Sequence, residues 1–301
     1  MNHIGGVSRC DDRLCLRCNY NYVMSLLERD LTSEEEAKPY AKYYYRDPSP
    51  PDPEKDAAME EPIDPGKALP IENLNEMLAP GYFEAETGWC VLPNGAGYIA
   101  NHLFMPGVTV DMINWWFAWH SLEDLRYKLW WPKGHYAVQL SDKDRAKVLD
   151  PERSMAERFQ GLTHYVIEDV GGASAEKIAI SFMKPEDIGF DMSRFNSPNV
   201  GTVAAANGSS LMINPPPGAP KVKTPAFMMH FIREVSGGVE LRTRFWMGYH
   251  ILNKKPFLLL PEGVQLPEAV PRALALHNVY EYANLAAILP EIYYEMEGKI
   301  T

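Results

Sequence analysis

The stretch from residue 271 to residue 289, PRALALHNVYEYANLAAIL, predicts a long helix near the end of the chain. Pro271 suits the first position of a helix, where no amide hydrogen is needed, and Pro290 is expected to stop the helix. The residues that precede this helix read largely as strands. Strands followed by a terminal helix predict an α+β protein in which the helix lies across a curved antiparallel sheet.

The strands are predicted from runs of β-branched and aromatic residues that are bounded by Gly, Pro and Asp. Gly237-Gly238, between the last two runs, is typical of a hairpin turn. The segment from Ser193 to Thr224 is rich in Gly, Pro, Ser and Asn, and we expect a long loop there that would cover a pocket as a lid. The predicted strands are His135–Leu140, Thr163–Val170, Lys177–Met183, Pro225–Val235 and Val239–Leu252.

A second helix is predicted from Asp111 to Trp131, with Thr109 as its cap and Pro132 as its end. Five of the seven tryptophans of the chain fall within it. Their side chains occupy too much of the circumference for a single apolar face, so we expect this helix to be packed on two sides. Two interpretations stay open: packing in the core or a dimer interface, and direct contact of some rings with an aromatic ligand.

The charge balance and the apolar runs argue against two classes of partner. Lys and Arg number 29 and Asp and Glu number 40, a net charge of −11, whereas a nucleic-acid-binding protein needs a basic face. No apolar run approaches the roughly 18 residues of a membrane helix, and the N-terminus lacks the apolar core of a signal peptide. We therefore expect a cytoplasmic protein that binds neither nucleic acid nor membranes.

Three of the four cysteines cluster near the N-terminus. Cys10, Cys15 and Cys18 have a spacing that matches part of a plant-type iron–sulfur motif, but Cys90 lies far along the chain. We expect exposed thiols on an N-terminal extension here and no metal cluster.

His277 and Glu281 are the sharpest chemical signal in the sequence. They lie four residues apart on the predicted C-terminal helix, so the imidazole and the carboxylate can converge on one point. This spacing suits a zinc ion, and an ordinary surface ion pair has the same spacing.

Other candidate groups lie on or beside the predicted strands. Strand alternation places His164 and Glu168 on the same face, where a carboxylate among apolar neighbours needs a positive partner. His135 follows the turn after the tryptophan-rich helix, and His230 lies in apolar surroundings. For each of these groups taken alone, a structural histidine or a paired carboxylate is the favoured interpretation, and a functional site requires several of them to converge.

Taken together, several segments resemble the 2,4-diacetylphloroglucinol hydrolase family. The segments are Tyr127–His135 (YKLWWPKGH), Thr163–Gly171 with its end Glu168-Asp169-Val170-Gly171, and the pair His277-x-x-x-Glu281. The segment Lys38–Tyr45 (KPYAKYYY) is also similar, and the resemblance spans roughly residues 35 to 290.

The resemblance implies a zinc-dependent enzyme that cleaves a carbon–carbon bond between an acyl group and a phloroglucinol ring. It also implies a Bet v 1-like, helix-grip catalytic domain. On this basis we divide the chain into an extension over residues 1–30, a small helical and linker region over 31–80 that assists homodimer formation, and the catalytic domain over 81–301. The substrate would be a small aromatic or polyketide-like ketone.

Carried onto this sequence, the family pattern assigns roles to individual side chains. The metal ligands would be His135, Glu168, His277 and Glu281. The catalytic groups near them would be Tyr127, His230 and Glu168. An apolar lining that suits a flat substrate would comprise Trp116, Met228 and Phe245.

Two polar positions of the family pattern differ in this chain. Tyr136-Ala137-Val138 stands where an asparagine follows the first metal histidine, and Phe245-Trp246 stands where a second tyrosine is expected. These differences leave the metal and the reaction type unchanged but put the phloroglucinol ring in question.

The function expected from these residues is a retro-Claisen hydrolysis of an acyl-phloroglucinol or a related β-diketone. Zinc would polarise the acyl carbonyl and acidify a water molecule, and Tyr127 and His230 would deliver a proton to the leaving carbon. Two alternatives stay open: a non-catalytic helix-grip protein that binds an apolar small molecule, and a related metalloenzyme that acts on a different polyketide-like ketone.

Overall fold

The computed structural model of the chain describes residues 24, 26–27, 30–171, 174–195, 197–218 and 223–301. The clustered cysteines Cys10, Cys15 and Cys18, and most of the predicted extension over residues 1–30, lie outside the described residues.

An eight-stranded antiparallel sheet is the centre of the fold, in the order β1-β2-β8-β7-β6-β5-β4-β3, and β9 and β10 form a separate hairpin. With the long C-terminal helix, this sheet confirms the predicted α+β class. The strands are β1 Gly88–Val91, β2 Gly97–Pro106, β3 His135–Gln139, β4 Thr163–Glu168, β5 Glu176–Met183, β6 Thr202–Met212, β7 Thr224–Val235, β8 Gly238–Met247, β9 Tyr249–Leu252 and β10 Lys255–Leu258.

Seven α-helices and several short 3-10 helices connect and cover the strands in the described part of the chain. The α-helices are α1 Ser33–Glu36, α2 Pro53–Ala57, α3 Val110–Trp119, α4 Asp124–Trp130, α5 Asp142–Leu149, α6 Pro185–Ile188 and α7 Ala269–Glu295. The 3-10 helices are Ala41–Tyr43, Pro65–Lys67, Ile71–Leu78, His120–Leu122, Ala156–Arg158 and Met192–Arg194. None of the helices in these ranges is long and apolar enough to cross a membrane.

Both faces of the sheet are covered. On one face, side chains such as Val166 and Ile232 pack with the tryptophans of α3 and with Leu285 of α7. On the other face, the 3-10 helix Ile71–Leu78 packs with strand residues, and the indole N–H of Trp246 donates to the carbonyl of Leu69 over 2.8 Å. A site built on the first face therefore lies between the sheet and a helical layer.

Helix α7 is longer than the sequence predicts at both ends. Pro271 is its third residue and not its first, and Pro290 lies inside the helix and does not stop it. The continuation past Pro290 is held by tertiary contacts, because Glu291 forms an ion pair with Arg46, and Glu295 accepts a hydrogen bond of 2.8 Å from Tyr43. These contacts outweigh the intrahelical hydrogen bond that proline removes.

The predicted helix from Asp111 to Trp131 is wrong as a single element, since α3 and α4 are separated by a 3-10 turn and an extended residue, Glu123 (φ −149°, ψ 143°). Side-chain contacts hold this break. The Glu123 carboxylate accepts hydrogen bonds from Tyr40 (2.5 Å) and Arg126 (3.1 Å), and Asp124 accepts one from the Val138 backbone (2.8 Å). The predicted cap by Thr109 is confirmed.

The expected loop from Ser193 to Thr224 is wrong over its middle part, which forms strand β6. Ala204, Ala205, Ala206 and Gly208 have weak strand preferences, but β6 pairs with β5 on one side and β7 on the other. Full pairing of the backbone decides the structure there. Strands β1, β2 and β10 are not predicted from the sequence. The predicted strand Val239–Leu252 is two strands, β8 and β9, which separate at Gly248 (φ +102°).

Two glycines on the sheet give a matched test of its backbone. Gly237→Ala should lower the free energy of unfolding by about 1 kcal/mol, because Gly237 turns between β7 and β8 with φ +84°. Gly208→Ala should be neutral or slightly stabilising, because a Cβ there would meet only the Ala226 carbonyl oxygen at 3.5 Å. Urea unfolding of both variants checks this, and an equal loss in both would contradict the assigned turn.

Candidate metal centre

Three elements bring the predicted ligands together. His135 on β3 is the direct register partner of Glu168 on β4, so their side chains leave the same face of the sheet. A β-bulge follows His135, which lets both His135 and Val138 face the helical layer. His277 and Glu281 face the same point from α7, one turn apart.

The separations among His135, His277 and Glu281 are close to those around a tetrahedral ion, and Glu168 lies beside His135. His135 Nε2 lies 3.2 Å from His277 Nε2, 3.4 Å from Glu281 Oε2 and 3.5 Å from Glu168 Oε2. His277 Nε2 lies 3.6 Å from Glu281 Oε2. Bonds of about 2.0–2.2 Å to a tetrahedral zinc ion would place neighbouring ligand atoms about 3.3–3.6 Å apart. The donor set and its spacing therefore fit such an ion.

Three of these residues form a buried group that could hold a metal ion: His135, His277 and Glu281. Glu168 is equally buried and lies beside His135, but its role as a fourth ligand stays a prediction.

The tautomer of His135 and the charge of the cluster both favour a cation. His135 Nδ1 must donate to the carbonyl of Tyr127 at 3.2 Å, which leaves the Nε2 lone pair directed toward His277. With neutral imidazoles, the carboxylates of Glu168 and Glu281 would carry two negative charges in buried surroundings, which is costly without compensation. A divalent ion supplies that compensation.

The members of the cluster also shift one another's pKa values. Burial lowers the pKa of His277, but the charge and hydrogen bond of Glu281, together with the charges of Glu168 and Asp169, outweigh burial and raise it. Burial raises the pKa of Glu281, but His277 and His135 outweigh burial and lower it to about 2. Metal binding at His277 would therefore compete with protonation of its imidazole.

Two asparagines orient the Glu281 carboxylate. Asn278 Nδ2 donates to Glu281 Oε1 over 3.0 Å, and Asn101 Nδ2 donates to Asn278 Oδ1 over 3.0 Å. Both asparagines are buried. Neither asparagine is predicted from the sequence. Asn278 lies between His277 and Glu281, so its position in the motif indicates a role beside the ligands, whereas Asn101 lies on β2, a strand that the sequence does not predict.

Tyr127 lies directly against the cluster. Its ring stacks on the His135 ring with centroids 4.2 Å apart, and its hydroxyl donates to Glu168 Oε2. Burial and then the Glu168 charge raise the pKa of Tyr127 well above its usual range. The hydroxyl therefore stays protonated and available as a donor.

The other predicted site residues form a neighbouring group. The centroid of the His230 ring lies 5.0 Å from that of Tyr282 and 5.8 Å from that of Phe245. His230 Nδ1 lies 2.9 Å from Thr243 Oγ1. Burial lowers the pKa of His230 to about 4, so the imidazole is neutral. Met228 packs against the same apolar cluster as Phe245.

Trp116 and His164 lie further from the ligands. Trp116 is fully buried and contacts Trp130, which in turn lies edge-on to His135. His164 occupies the predicted face of β4 but contacts His120 (5.6 Å), and it is not part of the metal group.

A surface cleft of about 310 Å³ reaches His277. Lys133, Asp169 and Tyr280 also line it. Of the candidate ligands, His277 is the one that lines this cleft, on the α7 side of the group.

Residues 69–294 match the family model described as the DAPG hydrolase PhiG domain. The chain belongs to this family. It is 36% identical to phloretin hydrolase from Eubacterium ramulus over 266 residues, which cover 87% of this chain and 92% of that relative. It is 30% identical over 275 residues, or 86% of this chain, to the 2,4-diacetylphloroglucinol hydrolases of a Pseudomonas species and of Pseudomonas protegens, of which 88% and 84% are covered.

Membership in the DAPG hydrolase family confirms the resemblance and the expected class of enzyme, a hydrolase acting on carbon–carbon bonds. The matched range includes all four predicted ligand positions, from His135 to Glu281.

The metal group predicts a clear result for metal content. Wild type should carry about one divalent ion per chain, and His277→Ala should lose most of it, because one ligand of a closely spaced set is removed. Elemental analysis of purified protein measures this. His250→Ala is the matched control, since His250 bonds the Gly208 carbonyl away from the cluster. Equal metal content in all three proteins would contradict the site.

The asparagine pair predicts a smaller effect. Asn278→Ala should weaken metal affinity about 10- to 100-fold, because the Glu281 carboxylate loses the donor that orients it. Competition with a chromophoric chelator measures the affinity. Asn94→Ala, which removes a donor to Tyr249 elsewhere, should leave it unchanged.

Proposed function

We propose that this protein is a zinc-dependent hydrolase that cleaves the bond between an acyl carbon and the ring of an acyl-phloroglucinol or related β-diketone. The observation that carries the proposal is the convergence of His135, His277 and Glu281, with Glu168 and a protonated Tyr127 beside them. The names of the relatives, a phloretin hydrolase and two 2,4-diacetylphloroglucinol hydrolases, support the substrate class.

Zinc is the proposed cofactor because the donors are two imidazole nitrogens with carboxylate oxygens, a set that zinc accepts readily. His135, His277, Glu281 and Glu168 would hold it. When bound, it would supply Lewis-acid polarisation of the acyl carbonyl and a water molecule acidic enough to react near neutral pH.

The proposed reaction consumes one water molecule. The water oxygen bonds to the acyl carbon, and the bond between the acyl carbon and the ring breaks with its electron pair going to the ring. The ring carbon then takes a proton. The products are a carboxylic acid and a ring that carries hydrogen in place of the acyl group.

Tyr127 and Glu168 are proposed to move the protons. Glu168 would accept the proton of the attacking water, and Tyr127 would give its hydroxyl proton to the leaving ring carbon. The hydrogen bond from Tyr127 to Glu168 then offers the path by which Tyr127 recovers a proton. This cycle returns both side chains to their starting state.

His230, Met228 and Phe245 are proposed to contact the substrate. His230 is neutral and buried, so it can exchange a hydrogen bond with a neutral group. Met228 and Phe245 offer an apolar surface beside it. Trp116 contacts the ring of Trp130 and would hold that ring in place beside the substrate.

Several broader expectations remain proposals with this function. They are the Bet v 1-like helix-grip assignment, the domain boundaries at residues 30 and 80, homodimer formation through the 31–80 region, and a cytoplasmic location. The alternative of a non-catalytic binding protein does not need His277 and Glu281 to converge, whereas their ligand atoms lie 3.6 Å apart.

Tyr127→Phe tests the proposed chemistry. It should lower kcat at least 100-fold while metal content stays at the wild-type level, because it removes a proton donor and no ligand. Tyr249→Phe is the control and should leave kcat unchanged. The assay follows cleavage of phloretin, 2,4-diacetylphloroglucinol and a simple β-diketone.

Two outcomes would contradict the proposal. Metal-loaded wild type that cleaves none of these ketones would refute the function. Full activity of Tyr127→Phe would leave the function in place but refute the role of the tyrosine.

A further inference from the structure

Two polar groups beside the metal cluster are buried and have no hydrogen-bond partner among the residues that the structure describes. They are the indole N–H of Trp130 and the hydroxyl of Tyr282. Trp130 is 6% exposed and Tyr282 is 0% exposed. A buried polar group without a partner is unfavourable by roughly 1–3 kcal/mol, so folded proteins rarely retain one without a reason.

Both groups belong to rings that surround the candidate metal centre. The Trp130 ring lies edge-on to His135 at 5.5 Å and edge-on to Tyr282 at 5.2 Å. Tyr282 follows the candidate ligand Glu281 on α7, and its ring lies 5.0 Å from His230. The two rings therefore form a continuous series of contacts from His135 to His230.

Other unpartnered indoles do not share this position. The indole N–H groups of Trp116 and Trp119 are also buried without a partner among the described residues. The Trp119 ring contacts Tyr40, Trp115 and Trp116. The Trp116 ring contacts Trp115, His120 and Trp130, none of which is a candidate ligand. These are stacking contacts within the tryptophan cluster, away from the metal ligands. Proximity to the reacting groups thus distinguishes Trp130 and Tyr282.

The chemistry of the two groups indicates what would satisfy them. An indole N–H only donates, so Trp130 needs an acceptor such as a ring oxygen. A phenol hydroxyl donates and accepts, so Tyr282 can pair with a ring hydroxyl in either sense. An apolar ligand would leave both groups unsatisfied.

We propose that Trp130 and Tyr282 bind oxygen atoms on the substrate ring, and that they select ketones whose acyl group is carried by a polyhydroxylated ring over simple β-diketones. This inference rests on the proposed function. As the acyl–ring bond breaks, negative charge spreads onto the ring oxygens. Two neutral donors in a dry site would stabilise that charge without first reorganising.

Tyr282→Phe tests the inference, because it removes only the hydroxyl. A structural hydroxyl would lower the melting temperature when lost, whereas a hydroxyl without a partner in the protein should leave it unchanged or raise it. We expect unchanged metal content and at least a tenfold lower kcat/KM for an acylated 1,3,5-trihydroxybenzene. The affinity for free 1,3,5-trihydroxybenzene should fall about tenfold by calorimetry, and that for phenol less than twofold.

Tyr43→Phe is the matched control. Its hydroxyl has a partner, Glu295 Oε2 at 2.8 Å, and lies outside the site. This variant should melt at a lower temperature than wild type and keep its kinetics and its affinity for the ring.

The calorimetric measurements of ring binding distinguish failure of this inference from failure of the proposed function. If metal-loaded wild type cleaves no acyl phenol, the function fails, but the ring affinities still decide the roles of these groups. The inference is overturned if wild type does not bind 1,3,5-trihydroxybenzene. It is also overturned if Tyr282→Phe binds the ring as tightly as wild type, or loses phenol and trihydroxybenzene affinity equally.

Discussion

Two buried carboxylates and two buried imidazoles share a space only a few ångströms wide, and this crowding of charge constrains the structure around it. Burial opposes both kinds of charge, yet the carboxylates raise the pKa of His277 and the imidazoles lower the pKa of Glu281. The charges must therefore be enclosed by groups that fix their direction. Tyr127, Asn278 and the backbone carbonyl of Tyr127 serve that purpose, because each bonds one member of the cluster.

The fold supplies this enclosure through contacts that are distant in the chain. The break at Glu123 turns α4 so that Tyr127 and Trp130 face the ligands, and it is held by Tyr40 from the N-terminal region. The far end of α7 is tied to the same region through Tyr43 and Arg46. Residues 40–46 therefore hold both helices that carry the site, although the family match begins only at residue 69.

The parts of the site that sequence could predict are the local ones. His277 and Glu281 share a helix face by spacing alone, and alternation places Glu168 on the inner face of β4. The register that pairs His135 with Glu168 cannot be read from spacing, because it depends on a bulge. Strand β6 is not predicted because its alanines have weak strand preferences. Asn101 is not predicted because the strand that carries it, β2, is not predicted either. Tyr282 appears in sequence as one more aromatic residue on an apolar helix, and only its contacts reveal a polar group without a partner.

The bulge after His135 has a second effect, which concerns the solubility of the protein. Strand β3 is the last strand of the sheet, so one side of it has no neighbouring strand among the residues that the structure describes. A regular edge of this kind is a template on which the strand of another molecule can add. The bulge interrupts the regular spacing of backbone groups along β3. The irregularity that aims a candidate ligand thus also makes this edge a poor starting point for aggregation.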